Sequence, residues 1–354
     1  MTNQKRSRPL KYTFFCISLF LLLRCASPLA VPNRQIRALY AGKAALFSDY
    51  QTQLQIAFQK NNHTNLNNDI VLTDDVNNID PTTVDYILYN PISKLQDFSP
   101  YTNLKAVFSL RAGVDQEANN PTLPKSVPLT RMVDPGLREG MREYVLGHVL
   151  RYHLQIDRLW EQKRQMQWSP KTFTLARQTT VGILGLGELG SYCADALLQM
   201  NFKVCGWSRT RKQIEGVECY HGSSGWREVI AASDILVLLL PETPETLQII
   251  RRETLQKCKA GVYIINVGRG SSINDNDLME ALHKGKVAGA TLDVFQEEPL
   301  PLEHPYWKHP NVLITPHIAA KSWPSTASVV IAENIRRCES GEPLLYVVDR
   351  DAGY

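Results

Sequence analysis

The feature that most constrains this chain is an apolar strand that runs straight into a glycine-rich turn and then a helix. Thr179-Thr180-Val181-Gly182-Ile183-Leu184 leads into Gly185-Leu186-Gly187-Glu188-Leu189-Gly190, the helical segment Ser191–Met200 follows, and a second strand begins at Lys203. A lone G-x-G-x-x-G says little, but between strand and helix within a βαβ unit it marks a dinucleotide site. Gly185 allows the tight turn, Gly187 lets a pyrophosphate approach the backbone, and Gly190 permits close helix–strand packing. Glu188 and Leu189 lie between these glycines and belong to the same expected site. The helix N-terminus offers unpaired N–H groups and the positive end of its dipole to the phosphates.

The end of the second strand bears on which dinucleotide is bound. A ribose-binding Asp or Glu is expected about 20 residues after the glycines for NAD. Here the chain reads Trp207-Ser208-Arg209-Thr210-Arg211-Lys212, without an acid. A carboxylate would repel a 2′-phosphate, whereas Ser208 and Arg209 can hydrogen-bond it and Arg211 or Lys212 can add charge. The expectation is a site for NADP, with NADPH preferred over NADH.

The rest of the chain repeats the strand–helix alternation. Further strands are read at Ile235–Leu240, Val262–Val267, Gly289–Val294 and Val312–Thr315, which argues for a doubly wound parallel sheet. An earlier α/β segment starts at Ile36, with strands at Ile36–Tyr40, Val84–Tyr89 and Leu104–Leu110 and a helix from Asp49 to Lys60. Residues 61–80 are rich in Asn and Asp and read as loops. From Gly136 to Met166 the pattern predicts one long helix, with Tyr144, Val145, His148, Val149, Tyr152 and Leu159 on a broad face, followed by a surface loop from Gln165 to Arg177. Ser325–Glu339 is helical again and is expected to return to the first domain.

At 354 residues the chain has room for two cores. A net charge of +4, with no long basic stripe, gives no nucleic-acid footprint. The seven cysteines form no C-x-x-C pair, so reduced thiols are a simpler reading than a disulfide framework or a zinc site; no metal is expected. Near the N-terminus, Lys5, Arg6, Arg8 and Lys11 precede the apolar run Phe14–Leu23, the shape of a secretory signal. That run is too short for a membrane span, which needs ~20 apolar residues. Arg24 directly after it and Pro28 near Ala30 spoil the cleavage side. Two readings stay open for residues 1–35: a targeting segment, or an extension outside the fold. The cofactor chemistry and the scattered cysteines favour the cytoplasm.

Beyond the glycine fingerprint, four signatures occur in a telling order. They are Leu240-Pro241-Glu242-Thr243-Pro244-Glu245-Thr246, Asn266-Val267-Gly268-Arg269-Gly270, Leu292-Asp293-Val294-Phe295-Gln296-Glu297-Glu298-Pro299-Leu300 and Thr315-Pro316-His317. With them the chain, over residues 36 to 354, resembles the D-isomer-specific 2-hydroxyacid dehydrogenases, and among these the bacterial glyoxylate/hydroxypyruvate reductases of the A type. The resemblance implies an α/β fold of two Rossmann-like domains. A cofactor domain at 143–319 would be inserted into a flavodoxin-like substrate domain formed by 36–142 and 320–354. It also implies a homodimer and a cofactor site that includes Pro241, Val267, Gly268, Arg269, Asp293 and His317, with Asp293 contacting the nicotinamide carboxamide.

The chemistry makes matching demands. Reducing a 2-keto acid needs an anchor for the carboxylate and carbonyl, a proton donor for the developing alkoxide, and a hydride. Arg269 follows a buried strand, and a guanidinium can grip a carboxylate through two N–H groups. His317 follows the last strand and is the candidate general acid. A proton donor benefits from a neighbouring carboxylate, which favours the imidazolium, and Glu298 is the candidate partner. Ser109-Leu110-Arg111-Ala112-Gly113-Val114-Asp115 resembles the family's substrate-carboxylate loop, so Ala112 and Gly113 are expected at the substrate, with Tyr89 as an aromatic pocket residue. Arg111 stands where the subfamily usually has glycine; it either adds a cation to the pocket or points to solvent. The expected activity is NADPH-dependent reduction of small 2-keto acids such as glyoxylate and hydroxypyruvate. The alternatives are a non-catalytic dinucleotide sensor of the same fold, or a phosphoglycerate-type dehydrogenase.

Overall fold

The computed structural model describes residues 35–60 and 70–353. The N-terminal basic and apolar segment and residues 61–69 lie outside the described residues. No helix among the described residues is long and apolar enough to cross a membrane.

Two parallel sheets organise the fold. The first contains β1 (Ile36–Ala41), β2 (Ile70–Thr73), β3 (Tyr86–Tyr89), β4 (Ala106–Ser109) and β5 (Leu129–Thr130), in the order β2-β1-β3-β4-β5. That is the flavodoxin-like order. The second contains β6 (Thr180–Leu184), β7 (Lys203–Ser208), β8 (Val217–His221), β9 (Ile235–Leu238), β10 (Val262–Asn266), β11 (Val287–Leu292) and β12 (Val312–Ile314), in the order β12-β11-β10-β9-β6-β7-β8. The order reverses between β6 and β9, so their carboxyl ends form the crevice where open α/β sheets bind ligands. The central strands are buried on both faces, which is why β3, β6, β9 and β10 read as near-continuous apolar runs.

The helices are α1 (Phe47–Lys60), α2 (Asp115–Ala118), α3 (Pro135–His153), α4 (Ile156–Arg164), α5 (Glu188–Gln199), α6 (Trp226–Ala232), α7 (Arg252–Lys257), α8 (Asp275–His283) and α9 (Pro324–Glu339). The α3 start has strong chemistry: the Asp134 side chain accepts from Leu137 N–H, and Pro135 occupies the first turn. Met141, Val145, Val149 and Tyr152 of α3 pack into one core with Val181 and Ile183 of β6 and Val237 of β9. As expected, α9 returns to the first sheet, where Ala327, Ile331, Ala332 and Ile335 join Tyr50, Leu54 and Phe58 of α1.

Three expectations are corrected. The single helix predicted from Gly136 to Met166 breaks at Gln155, which adopts a left-handed φ of 50°. The buried stripe of α3 ends at Tyr152, α4 buries no residue, and Leu159 is exposed, so no shared core face keeps the two segments collinear. The loop predicted over 61–80 contains β2, whose Ile70-Val71-Leu72-Thr73 pairs with β1 despite the polar residues around it. The short strand β5 and the edge strand β8 had no place in the predicted order; one is only two residues long, and the other alternates polar and apolar residues.

Candidate active site

The glycine turn follows β6 directly. Gly185 has φ +112°, and a Cβ there would lie 2.5 Å from Leu239 O; one on Gly190 would lie 1.9 Å from Gly185 O. Both positions therefore demand glycine. A Cβ on Gly187 would meet nothing within 4 Å, so its free side opens onto the cleft at the start of α5. This is the clearance a pyrophosphate needs, and the first-turn N–H groups of α5 lie beside it. At the end of β7, Ser208 Oγ donates to Thr210 O at 2.7 Å and folds the loop back. Ser208, Arg209, Thr210 and Lys212 line the same cleft as the glycines, whereas Arg211 is exposed outside its lining. Of the two cations that could add charge to this loop, Lys212 lies on the cleft. Glu245 also lines this end; its own backbone N–H and the Thr243 hydroxyl, with a smaller contribution from the Arg209 charge, hold its carboxyl below the ordinary range.

Further along the cleft, of about 1020 Å³, the carboxyl ends of the remaining strands supply the chemistry. Pro241 follows β9, Val267, Gly268 and Arg269 follow β10, Asp293 follows β11, and His317 follows β12. His317 Nδ1 lies 2.7 Å from Glu298 Oε2. A carboxylate there accepts a hydrogen bond, so Nδ1 carries the proton and Nε2 is the nitrogen left to serve a ligand. Burial alone would raise the Glu298 carboxyl. Hydrogen bonds from His317 and from Phe295 N–H, with the charges of His317 and Arg111, outweigh it and keep the carboxyl below the ordinary range.

Asp293 does more than the sequence suggested. Its carboxylate is buried and accepts from the Thr315 hydroxyl at 2.5 Å, Ile318 N–H at 2.9 Å and Ala319 N–H at 2.9 Å. Its backbone oxygen accepts from His317 N–H at 2.9 Å. His317 itself sits at a left-handed φ of 53°. This set of bonds holds the loop in that conformation and aims the imidazole towards Glu298.

The first sheet closes the cleft from the other side. Arg111, Ala112 and Gly113 line it after β4, and a Cβ on Gly113 would fall 1.4 Å from Arg269 Nη2. Arg111 faces the cleft with no side-chain hydrogen bond or ion pair among the described residues, and its charge reaches Glu298. Tyr89 does not face the cleft. Its ring packs against Phe98 in the core, at a centroid distance of 5.1 Å, and its hydroxyl donates to Leu95 O. Pleating sends the last side chain of β3 inward, so Asn90 and Ile92, just beyond the strand, line the cleft instead.

Asp115 lines the cleft as well, and its Oδ2 accepts from Arg269 Nε at 2.8 Å and Nη2 at 2.6 Å. Sequence reasoning assigned Asp115 no role, because nothing local relates positions 154 residues apart.

The chain as a whole has known relatives. Residues 146–319 match the family described as D-isomer specific 2-hydroxyacid dehydrogenase, NAD binding domain. The chain is 44% identical over 256 residues to glyoxylate/hydroxypyruvate reductase A of Yersinia enterocolitica, an alignment that covers 71% of this chain and 82% of that protein. The chain belongs to the D-isomer specific 2-hydroxyacid dehydrogenase family. Like its relatives, this dehydrogenase is an NAD(P)-dependent oxidoreductase. The corresponding reductase of Escherichia fergusonii is 39% identical, over 78% of this chain and 88% of its own. A family member from Xanthobacter autotrophicus Py2, solved with NADPH and MES, superposes with a TM-score of 0.83 at 38% identity, covering 90% of this chain and all of that one. The NADPH-dependent glyoxylate/hydroxypyruvate reductase of Sinorhizobium meliloti, solved with NADP and sulfate, gives a TM-score of 0.81 at 35% identity with the same coverage.

Proposed function

We propose that this dehydrogenase reduces small 2-keto acids, with glyoxylate and hydroxypyruvate as the leading substrates, and prefers NADPH. The observation that carries the reading is the 2.7 Å His317–Glu298 pair on the cleft that also presents Arg269. In this reading residues 143–319 form the cofactor domain, and 36–142 with 320–354 form the substrate domain. The acid-free Ser208–Lys212 loop supports a 2′-phosphate, and the NADP and NADPH bound to the Sinorhizobium and Xanthobacter relatives agree with it.

When bound, NADPH supplies a hydride to the keto carbon. Arg269 grips the carboxylate and polarises the carbonyl, a role that suits its planar fork. His317 delivers a proton from Nε2 to the carbonyl oxygen, and Glu298 stabilises the imidazolium before that transfer. The backbone N–H groups of the Ala112–Gly113 turn face the keto acid. Asp293 would help to hold the nicotinamide carboxamide, the role that the family resemblance implies, while its bonds to Thr315, Ile318 and Ala319 fix the loop that carries His317. The presence of Arg269, Glu298 and His317 on one cleft supports turnover over the non-catalytic alternative. The enzyme acts as a cytoplasmic homodimer, which sedimentation of the purified protein tests for its oligomeric part.

The test is NADPH oxidation with glyoxylate, hydroxypyruvate, pyruvate and longer keto acids. Glyoxylate and hydroxypyruvate should give the highest kcat/KM, and NADPH should exceed NADH. Absence of turnover with every keto acid would refute the reading, and equal use of the two cofactors would refute the NADPH preference.

A further inference from the structure

We propose that Asp115 is a positioning residue for Arg269, one that leaves only a single edge of the guanidinium open to the substrate. The proposal rests on the reading of Arg269 as the carboxylate anchor. A guanidinium carries five N–H donors in a rigid plane and can grip a carboxylate in two ways. It can do so side-on, through Nε and Nη2, or end-on, through Nη1 and Nη2. In this chain Asp115 Oδ2 takes the side-on edge, accepting from Nε at 2.8 Å and Nη2 at 2.6 Å. Gly268 O accepts from Nη1 at 2.8 Å. Three of the five N–H groups are thus held by the protein, and the two that remain, one on Nη1 and one on Nη2, make up the end-on fork.

Two further observations show that this orientation is built. Gly113 leaves the space that Nη2 fills, since a Cβ there would lie 1.4 Å from that nitrogen. Both partners are also largely shielded, with side-chain exposures of 21% for Arg269 and 27% for Asp115, so water competes weakly for the pair. The two residues come from opposite sides of the cleft: Asp115 opens α2 after β4, and Arg269 follows β10. Without Asp115 the side-on edge would be free, and a substrate carboxylate could bind there. Its carbonyl would then be displaced from His317, and a misplacement of about 1 Å can cost about 100-fold in rate.

Asp115→Ala and Asp115→Asn separate this role from simple support. The alanine variant vacates the side-on edge, whereas the asparagine variant keeps an oxygen that can accept from Nε and Nη2. Asp115→Ala should lose about 100-fold in kcat/KM for glyoxylate, with a raised KM and a lowered kcat, and an NADPH Kd unchanged by fluorescence titration. Asp115→Asn should recover to within about tenfold of the parent, because the edge is again occupied. Should the alanine variant fail to fold, Asp115→Leu, which fills the space without an acceptor, must lose activity while Asp115→Asn keeps it. The proposal is overturned if Asp115→Ala keeps kcat and KM within twofold, or if the alanine and asparagine variants lose activity equally. Arg269→Ala distinguishes the two levels: if it is fully active, the reading of the site falls and this proposal with it. If Arg269→Ala is inactive while Asp115→Ala is unaffected, this proposal alone falls.

Discussion

Glu298 is subject to two effects that pull in opposite directions. Its side chain is only partly buried, at 36% exposure, and it must stay ionised while acting on His317. Burial pushes its carboxyl up, and the hydrogen bonds from His317 and Phe295 N–H more than reverse this. The carboxylate therefore persists to a lower pH than in a free glutamate, and the interaction is lost only as pH falls through that lowered value. Glu298→Gln should cut kcat/KM about 10- to 100-fold at pH 7, with the remaining activity rising towards acid pH, as a pH–rate profile would read. Unchanged activity and pH dependence would remove Glu298 from the proton path. The Arg269, Glu298 and His317 set was legible in the sequence because each residue sits in a signature at a strand end. Tyr89 was misjudged at the same scale: its direction is decided by the pleat of β3 and by Phe98, which its own neighbours in sequence do not reveal.

Among the elements, the βαβ unit around Gly185 was fully readable, since the apolar run, the glycines and the helix are contiguous. The break at Gln155 was not. Helical periodicity runs through it, and what ends α3 is the end of the core it packs against. Within α3, burial and the Arg151 charge push His148 down to about 4. Its Nδ1 is buried without a hydrogen-bond partner among the described residues. It is neutral when folded at pH 7, and an unfolded histidine titrates near ~6.5. This contribution to stability is complete above ~6.5 and declines as pH falls towards 4. His148→Phe should keep the contact on Tyr144 and show a smaller fall in Tm between pH 7 and 4 than the parent; parallel curves would contradict the assignment. For α9, Ile331→Ala should destabilise by about 2–5 kcal/mol in denaturant titration, because Ile331 is buried between α1 and the first sheet. A loss below 1 kcal/mol would mean that the helix is not anchored there.

At the scale of the whole molecule, strand order turns separate signatures into one site. The reversal between β6 and β9 brings the glycine turn and the ends of β9, β10, β11 and β12 along one crevice, and the loop after β4 faces them. Sequence order alone ranks these segments without placing them, so the Asp115–Arg269 contact emerged only from the fold. The cofactor preference is tested here too. Arg209→Ala should raise the NADPH KM about tenfold or more while leaving the NADH KM within about twofold, since a hydrogen bond to a charged group contributes about 1.5–3 kcal/mol. Equal changes for both cofactors would detach Arg209 from the 2′-phosphate. The most direct test of the central claim is single-turnover reduction of glyoxylate by NADPH with His317→Ala, with NADPH affinity measured alongside. A rate at least about 10³-fold lower with unchanged NADPH Kd is the predicted result. A parent-like rate in that variant would contradict His317 as the proton donor and the chemistry built around it.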